Sequence, residues 1–153
     1  MTLFAPRTPA ARLGTVLTLA AAVFVAPSAL ASGDAAVERQ KLMSNVGAAT
    51  GAGAAMVKGQ VEFNAVQAQL VMRTLNSSAR GFGFMFPAGS ETGAKTEASP
   101  KIWEDSAGFA AAVDKFIVDT SAVPTDLDSF KAAFGAATAN CGTCHRAYRV
   151  KKD

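Results

Sequence analysis

The residues with the clearest chemistry lie close to the C-terminus, in the run Cys141-Gly142-Thr143-Cys144-His145. Two thiols separated by two residues, with an imidazole directly after the second, form the attachment signature for c-type haem. Each thiol can add across one haem vinyl group to make a thioether. The histidine beside the second thioether then places its imidazole under the iron. The run uses both cysteines and the single histidine of the chain. A closed zinc site needs four ligands, and this run supplies three, crowded into five residues. A thioredoxin-like redox pair belongs beside a βαβ pattern, and no such pattern is present. Haem attachment stands ahead of both, and ahead of two chance thiols.

An element must carry that run, and the C-terminal stretch reads as a helix. Thr125 is its expected cap, with Asp126 and Asp128 favourable in the first turn. Leu127, Phe130, Phe134, Ala137, Cys141, Cys144 and Tyr148 then recur at helical spacing and form one apolar stripe. The haem run sits on this stripe, so its cofactor should face the core. Three further helices are expected. The first spans about Asp34 to Lys58, with Arg39, Met43, Val46 and Thr50 on one stripe and Gln40 and Gly47 beside it. Gly47, Gly51 and Gly53 are costly inside a helix and make sense where something bulky approaches. Gly59 is the expected C-terminal stop.

Asn64 to Gln67 has capping-box spacing and opens the second helix, with Val66, Leu70 and Leu75 as its apolar face. This helix is expected to fade near Ser77-Ser78. A long loop follows, in which Phe84 or Phe86 should plug into the core. Ser99-Pro100 begins the third helix, which carries Ile102, Phe109, Val113 and Phe116, and Pro124 ends it. These readings give an all-α chain, an antiparallel four-helix bundle with the haem run on its C-terminal helix. A core this rich in alanine can use a large apolar cofactor as packing material.

The first 31 residues stand apart. Arg7 and Arg12 precede an uncharged apolar run from Leu13 to Ala26, and Ala29-Leu30-Ala31 has the form of a cleavage site. This reads as a secretory signal peptide, removed from a domain of residues 32–153. The apolar run is too short for a membrane span, and no second one follows. Export agrees with thioether haem attachment, which takes place outside the bacterial cytoplasm, so the expected compartment is the periplasm. The whole chain has a net charge of +3, but removing the leader takes away two arginines and no acid, which leaves 13 basic against 12 acidic residues. No basic stripe supports nucleic-acid binding.

With these residues in place, the sequence resembles the class II c-type cytochromes, the cytochrome c-prime family. The resemblance rests on Arg39-Gln40, Met56-Val57-Lys58-Gly59, Phe86-Pro87 with Gly89-Ser90-Glu91, and Ile102-Trp103. Lys131-Ala132-Ala133-Phe134-Gly135 and Cys141 to His145 with Tyr148-Arg149 complete it. It covers essentially all of the chain after the leader, and the loop is slightly longer here. It implies one covalent haem c on Cys141 and Cys144, with His145 as proximal iron ligand. It places Arg39 and Gln40 near the haem edge and propionates, Ser90 and Glu91 along that edge, and Arg149 against the proximal imidazole. Trp103 and Tyr148 read as packing residues.

The resemblance further implies a homodimer through the first two helices and electron exchange with redox partner proteins, not enzymatic turnover. The chain has no second histidine to act as a distal acid or base, which argues against a peroxidase. Met43, four residues after Arg39, shares its helix face. Its position resembles that of the methionine that ligates iron in a low-spin subgroup of the family. Met56, Met72 and Met85 read as core fillers. The leading expectation is therefore a His145/Met43 electron carrier. The alternative is a five-coordinate member that binds nitric oxide or carbon monoxide.

Overall fold

The computed structural model describes residues 32–93 and 95–150, and the side chains among them from Ala35 onward. The expected signal peptide lies outside these residues. Five helices follow in order: α1 (Ser32–Val57), α2 (Ala65–Phe82), α3 (Lys101–Glu104), α4 (Ser106–Asp119) and α5 (Leu127–Tyr148). α1, α2, α4 and α5 make the antiparallel four-helix bundle, and α3 is a single turn leading into α4. Among the described residues the only extended pairing is one antiparallel bridge between Ala98 and Arg149. No helix among them is long and apolar enough to cross a membrane.

Local chemistry explains the helix ends. α1 stops at a Schellman turn. Gly59 takes φ +69°, its N–H donates to the Met56 carbonyl at 3.1 Å, and the Gln60 N–H donates to the Ala55 carbonyl at 2.9 Å. α2 starts where the Asn64 side chain accepts from the Gln67 N–H. It runs past Ser77-Ser78 to Phe82, because Ser78 and Ala79 are buried on its inner face. The expected third helix is broken at Asp105. That carboxylate accepts from the Gly108 N–H at 3.1 Å and so starts a new helix one turn after Pro100. α5 is capped by Asp126 and not by Thr125: Asp126 and Ser129 form a reciprocal capping box.

The α2 face meets expectation at Leu75 and differs at Val66 and Leu70. Val66 is 75% exposed and Leu70 63% exposed, while Ala68, Val71, Met72, Leu75 and Ala79 are buried. The buried residues recur at helical spacing on one side of α2, and Val66 and Leu70 fall on the other side. Of the loop phenylalanines, Phe84 is 87% exposed and Phe86 packs edge-on against Phe82, Phe109 and Trp103. Gly53 sits against the Phe134 ring, whereas a Cβ at Gly47 or Gly51 would meet nothing within 4 Å.

The buried apolar residues form two clusters. One joins α1, α2 and α5 through Val46, Met56, Ala68, Val71, Met72, Leu75, Phe130, Phe134 and Ala137. The other joins α3, α4 and α5 through Ile102, Phe109 and Tyr148, with Phe82 and Phe86 packed against it.

Candidate functional site

A cavity of about 690 Å³ is lined by members of both clusters, including Val46, Ile102, Phe109 and Tyr148. This volume lies in the range that encloses a small-molecule cofactor. α5 presents Cys141, Cys144 and His145 to it, one turn apart on one face, as the apolar stripe requires. α1 presents Ala36 together with Arg39, Gln40, Met43, Val46, Gly47 and Thr50, the six residues that the sequence places on or beside one stripe. Met43 is partly buried and also packs against the Val46 cluster.

The thiols are not bridged to each other. Burial pushes the Cys144 thiol above its ordinary pKa, and the neighbouring Cys141 pushes the same way. A redox-active Cys-X-X-Cys pair has the opposite shift. No group of three or more Cys, His or acidic side chains suited to a metal occurs among the described residues, so a closed zinc site finds no ligand set there. The His145 pKa is lowered, first by burial and then by the Arg149 charge, with Glu97 opposing. Its imidazole is therefore biased to the neutral form that can ligate a metal.

Arg39 is 5% exposed. Its guanidinium donates to the Met85 carbonyl at 2.8 Å, to Ser90 Oγ at 3.0 Å, to the Ser90 carbonyl at 2.7 Å and to Thr96 Oγ1 at 3.4 Å. Its carbon lies 4.8 Å from the centre of the Phe86 ring. Burial lowers the Arg39 pKa and the Glu91 charge opposes this, but a guanidinium stays protonated. Glu91 itself is not among the cavity-lining residues, and its carboxylate accepts from the Gly89 N–H instead. Ser90 is fully buried beneath Arg39 and does not line the cavity either. Arg149 lines the cavity, and its guanidinium forms an ion pair with Glu97.

Several lining residues escape sequence reading. Lys95, Thr96, Glu97 and Ala98 come from the loop before α3, and no periodicity in that loop marks them. Asn140 carried a signal: it is a polar residue on the apolar stripe, adjacent to Cys141. It is buried, lines the cavity, and donates to Asp119 Oδ2 at 2.7 Å and to the Ala136 carbonyl at 3.0 Å.

The lining residues fit a flat, mostly apolar cofactor with two points of covalent attachment. The thiols and imidazole are on one helix, the Met43 thioether lines the same cavity from another, and the buried Thr50 hydroxyl on the wall has no hydrogen-bond partner. A group filling the cavity would also join the two apolar clusters that line it.

The comparisons agree with this chemistry. A family model described as Cytochrome C′ matches residues 34–149. The chain is 39% identical over 119 residues to a cytochrome c-556 of Agrobacterium fabrum, covering 75% of this chain and 80% of that one. Its fold is similar to the solved cytochrome c′ of Rhodopseudomonas palustris, with TM-score 0.74 and 34% identity, covering 78% of this chain and 98% of that one. It is also similar to the nitric oxide complex of a mutant cytochrome c′ from Alcaligenes xylosoxidans, with TM-score 0.69 and 31% identity, covering 78% of this chain and 97% of that one. The chain belongs to the cytochrome c′ family of class II c-type cytochromes, and its cofactor is covalently bound haem c.

Proposed function

We propose that this chain is a periplasmic one-electron carrier whose haem is bound through Cys141 and Cys144, with His145 and Met43 as the axial ligands. The observation that carries this reading is that the Met43 thioether and the His145 imidazole line one cavity from two different helices. Haem supplies one-electron exchange at iron, and a His/Met ligand pair raises its potential.

The other residues act on that site in simple ways. Burial and the Arg149 charge bias His145 to its neutral, ligating form. Glu97 holds Arg149. Phe82, Val113 and Phe116 present apolar walls that disfavour water. Arg39, Lys95 and Arg149 provide three cationic side chains along the lining, suited to the two carboxylates of haem. The chain holds one histidine, so a second imidazole for acid–base turnover is absent, which supports a carrier over an enzyme.

The periplasmic assignment rests on the Arg7, Arg12 and Leu13 to Ala26 pattern. Homodimerisation through α1 and α2 is supported by the outward-facing Val66 and Leu70, two large apolar side chains one turn apart. The partners for electron exchange are redox proteins.

A second reading has a specific support: one similar solved protein holds nitric oxide. Under that reading Met43 only fills space and the sixth position takes a gas. Replacing Met43 by Leu separates the two. On the electron-carrier reading, Met43→Leu turns a low-spin haem into a high-spin one that binds carbon monoxide readily. An unchanged spectrum after Met43→Leu would favour the gas-binding reading.

A further inference from the structure

We propose that Arg39 and Glu97 are positioning residues that fasten the loop between α2 and α3 as one wall of the cavity, and that this fastening limits how fast a small neutral ligand such as carbon monoxide enters. The inference rests on the cavity being the haem site. It does not depend on Met43 being a ligand.

The Arg39 side chain donates four hydrogen bonds to this one loop. Their acceptors belong to Met85, Ser90 and Thr96, so a single guanidinium gathers widely separated parts of the loop. The loop residues that line the cavity, Phe86 and Lys95 to Ala98, include Thr96, which Arg39 holds, and Phe86, the neighbour of Met85, which it also holds. A guanidinium removed from water is costly unless hydrogen bonds replace its hydration. Here the loop's oxygens supply that replacement, so burial of Arg39 and closure of the loop are energetically linked. The Phe86 ring covers one face of the guanidinium and stands on the cavity wall.

The loop has a second fastening at its far end. The Glu97 carboxylate pairs with Arg149, the Val150 N–H donates to the Glu97 carbonyl at 2.9 Å, and the Ser99 N–H donates to the Tyr148 carbonyl at 3.0 Å. Adjacent residues Thr96 and Glu97 are therefore held from α1 and from the end of α5. Arg39 is one helical turn before Met43, and Arg149 is four residues after His145. The loop thus braces together the two helices that carry Met43 and His145. A residue serving only stability would leave ligand entry unchanged when replaced.

The test uses haem-loaded, reduced protein in a Met43→Leu background, so that no sixth ligand limits the rate. Arg39→Gln, Glu97→Gln and the double variant Ser90→Ala/Thr96→Val are compared with that parent. Two quantities are read: amide hydrogen exchange across the α2–α3 loop, and the stopped-flow rate of carbon monoxide association. Faster exchange of loop amides together with several-fold faster association in Arg39→Gln and Glu97→Gln is expected. The double variant keeps the Arg39 charge and removes two hydroxyl acceptors, so it should show the same changes to a smaller degree. If Arg39→Gln does not fold, Glu97→Gln and the double variant carry the comparison. Unchanged loop exchange, or a loosened loop with an unchanged association rate, would overturn the proposal. A five-coordinate haem in the unsubstituted protein would remove the Met43 reading and leave this comparison standing. Failure of the chain to take up haem would overturn both.

Discussion

Gly53 of α1 lies directly against the ring of Phe134 of α5, so that a Cβ built on it would come 2.8 Å from Cζ and 2.9 Å from Cδ2. Of the three glycines in the middle of α1, this is the one that close packing requires. Neither residue lines the cavity, and Phe134 belongs to the cluster that joins α1, α2 and α5. Gly53→Ala should destabilise the haem-loaded protein by about 1–3 kcal/mol, the usual cost of overpacking a core. Gly135→Ala on α5 is the control: its Cβ would meet nothing within 4 Å, and it should gain roughly 0.5–1 kcal/mol in helix propensity. Urea unfolding of the two variants measures the difference. Equal stabilities would mean that the α1–α5 contact is looser than described.

Asp119 ends α4 and reaches across to α5, where Asn140 donates to it at 2.7 Å. The Lys115 ammonium and then the Asn140 amide hold its carboxyl below the ordinary carboxylate pKa, with burial opposing. The folded chain therefore prefers this group ionised. The stability it contributes is present above the unfolded-state pKa of about 4 and is lost as pH falls through the lower folded value. Asp119→Asn should lower stability at neutral pH and flatten its loss in acid. Melting curves from pH 7 downward check this. An unaltered acid slope would show that Asp119 does not couple folding to protonation.

Val66 and Leu70 form an outward apolar pair on α2. If a second copy covers them, a charge placed there should separate the copies. Leu70→Glu is expected to sediment as a monomer at micromolar concentration with its haem spectrum unchanged, where the unsubstituted protein sediments as a dimer. A monomeric unsubstituted protein would remove the dimer from the account.

The two apolar clusters share the cavity between them as lining, so the cofactor should act as part of the core. The Cys141→Ala, Cys144→Ala double variant should lose most of its helical circular dichroism and its cooperative melting. A chain that keeps both without haem would show that α1, α2, α4 and α5 pack adequately alone.

The parts of this fold that could be read from the sequence were those written in helical periodicity. The α5 stripe through Phe130, Phe134, Ala137 and Tyr148 is buried, and the α1 stripe through Arg39, Met43, Val46 and Thr50 lines the cavity. Gly59 was legible because a positive φ at a helix end favours glycine. The α2 face was read correctly at Leu75 and wrongly at Val66 and Leu70, which lie on the side of the helix opposite the buried stripe of Ala68, Val71, Met72, Leu75 and Ala79. The break at Asp105 was hidden inside a run of helix-compatible residues, and it depends on one side-chain hydrogen bond to Gly108. The roles of Ser90, Thr96 and Glu97 depend on contacts to residues more than fifty positions away, which no local pattern encodes. Arg39 lines the cavity, and the oxygens of Met85, Ser90 and Thr96 in the loop accept from its guanidinium.

The most direct test of the central claim is the absorption spectrum of the purified, oxidised protein. Ligation by both His145 and Met43 requires a six-coordinate, low-spin haem spectrum, little change when carbon monoxide is added to the reduced form, and conversion to a high-spin spectrum in Met43→Leu. A high-spin spectrum in the unsubstituted protein, with ready carbon monoxide binding, would contradict it and leave Met43 as a residue of the core.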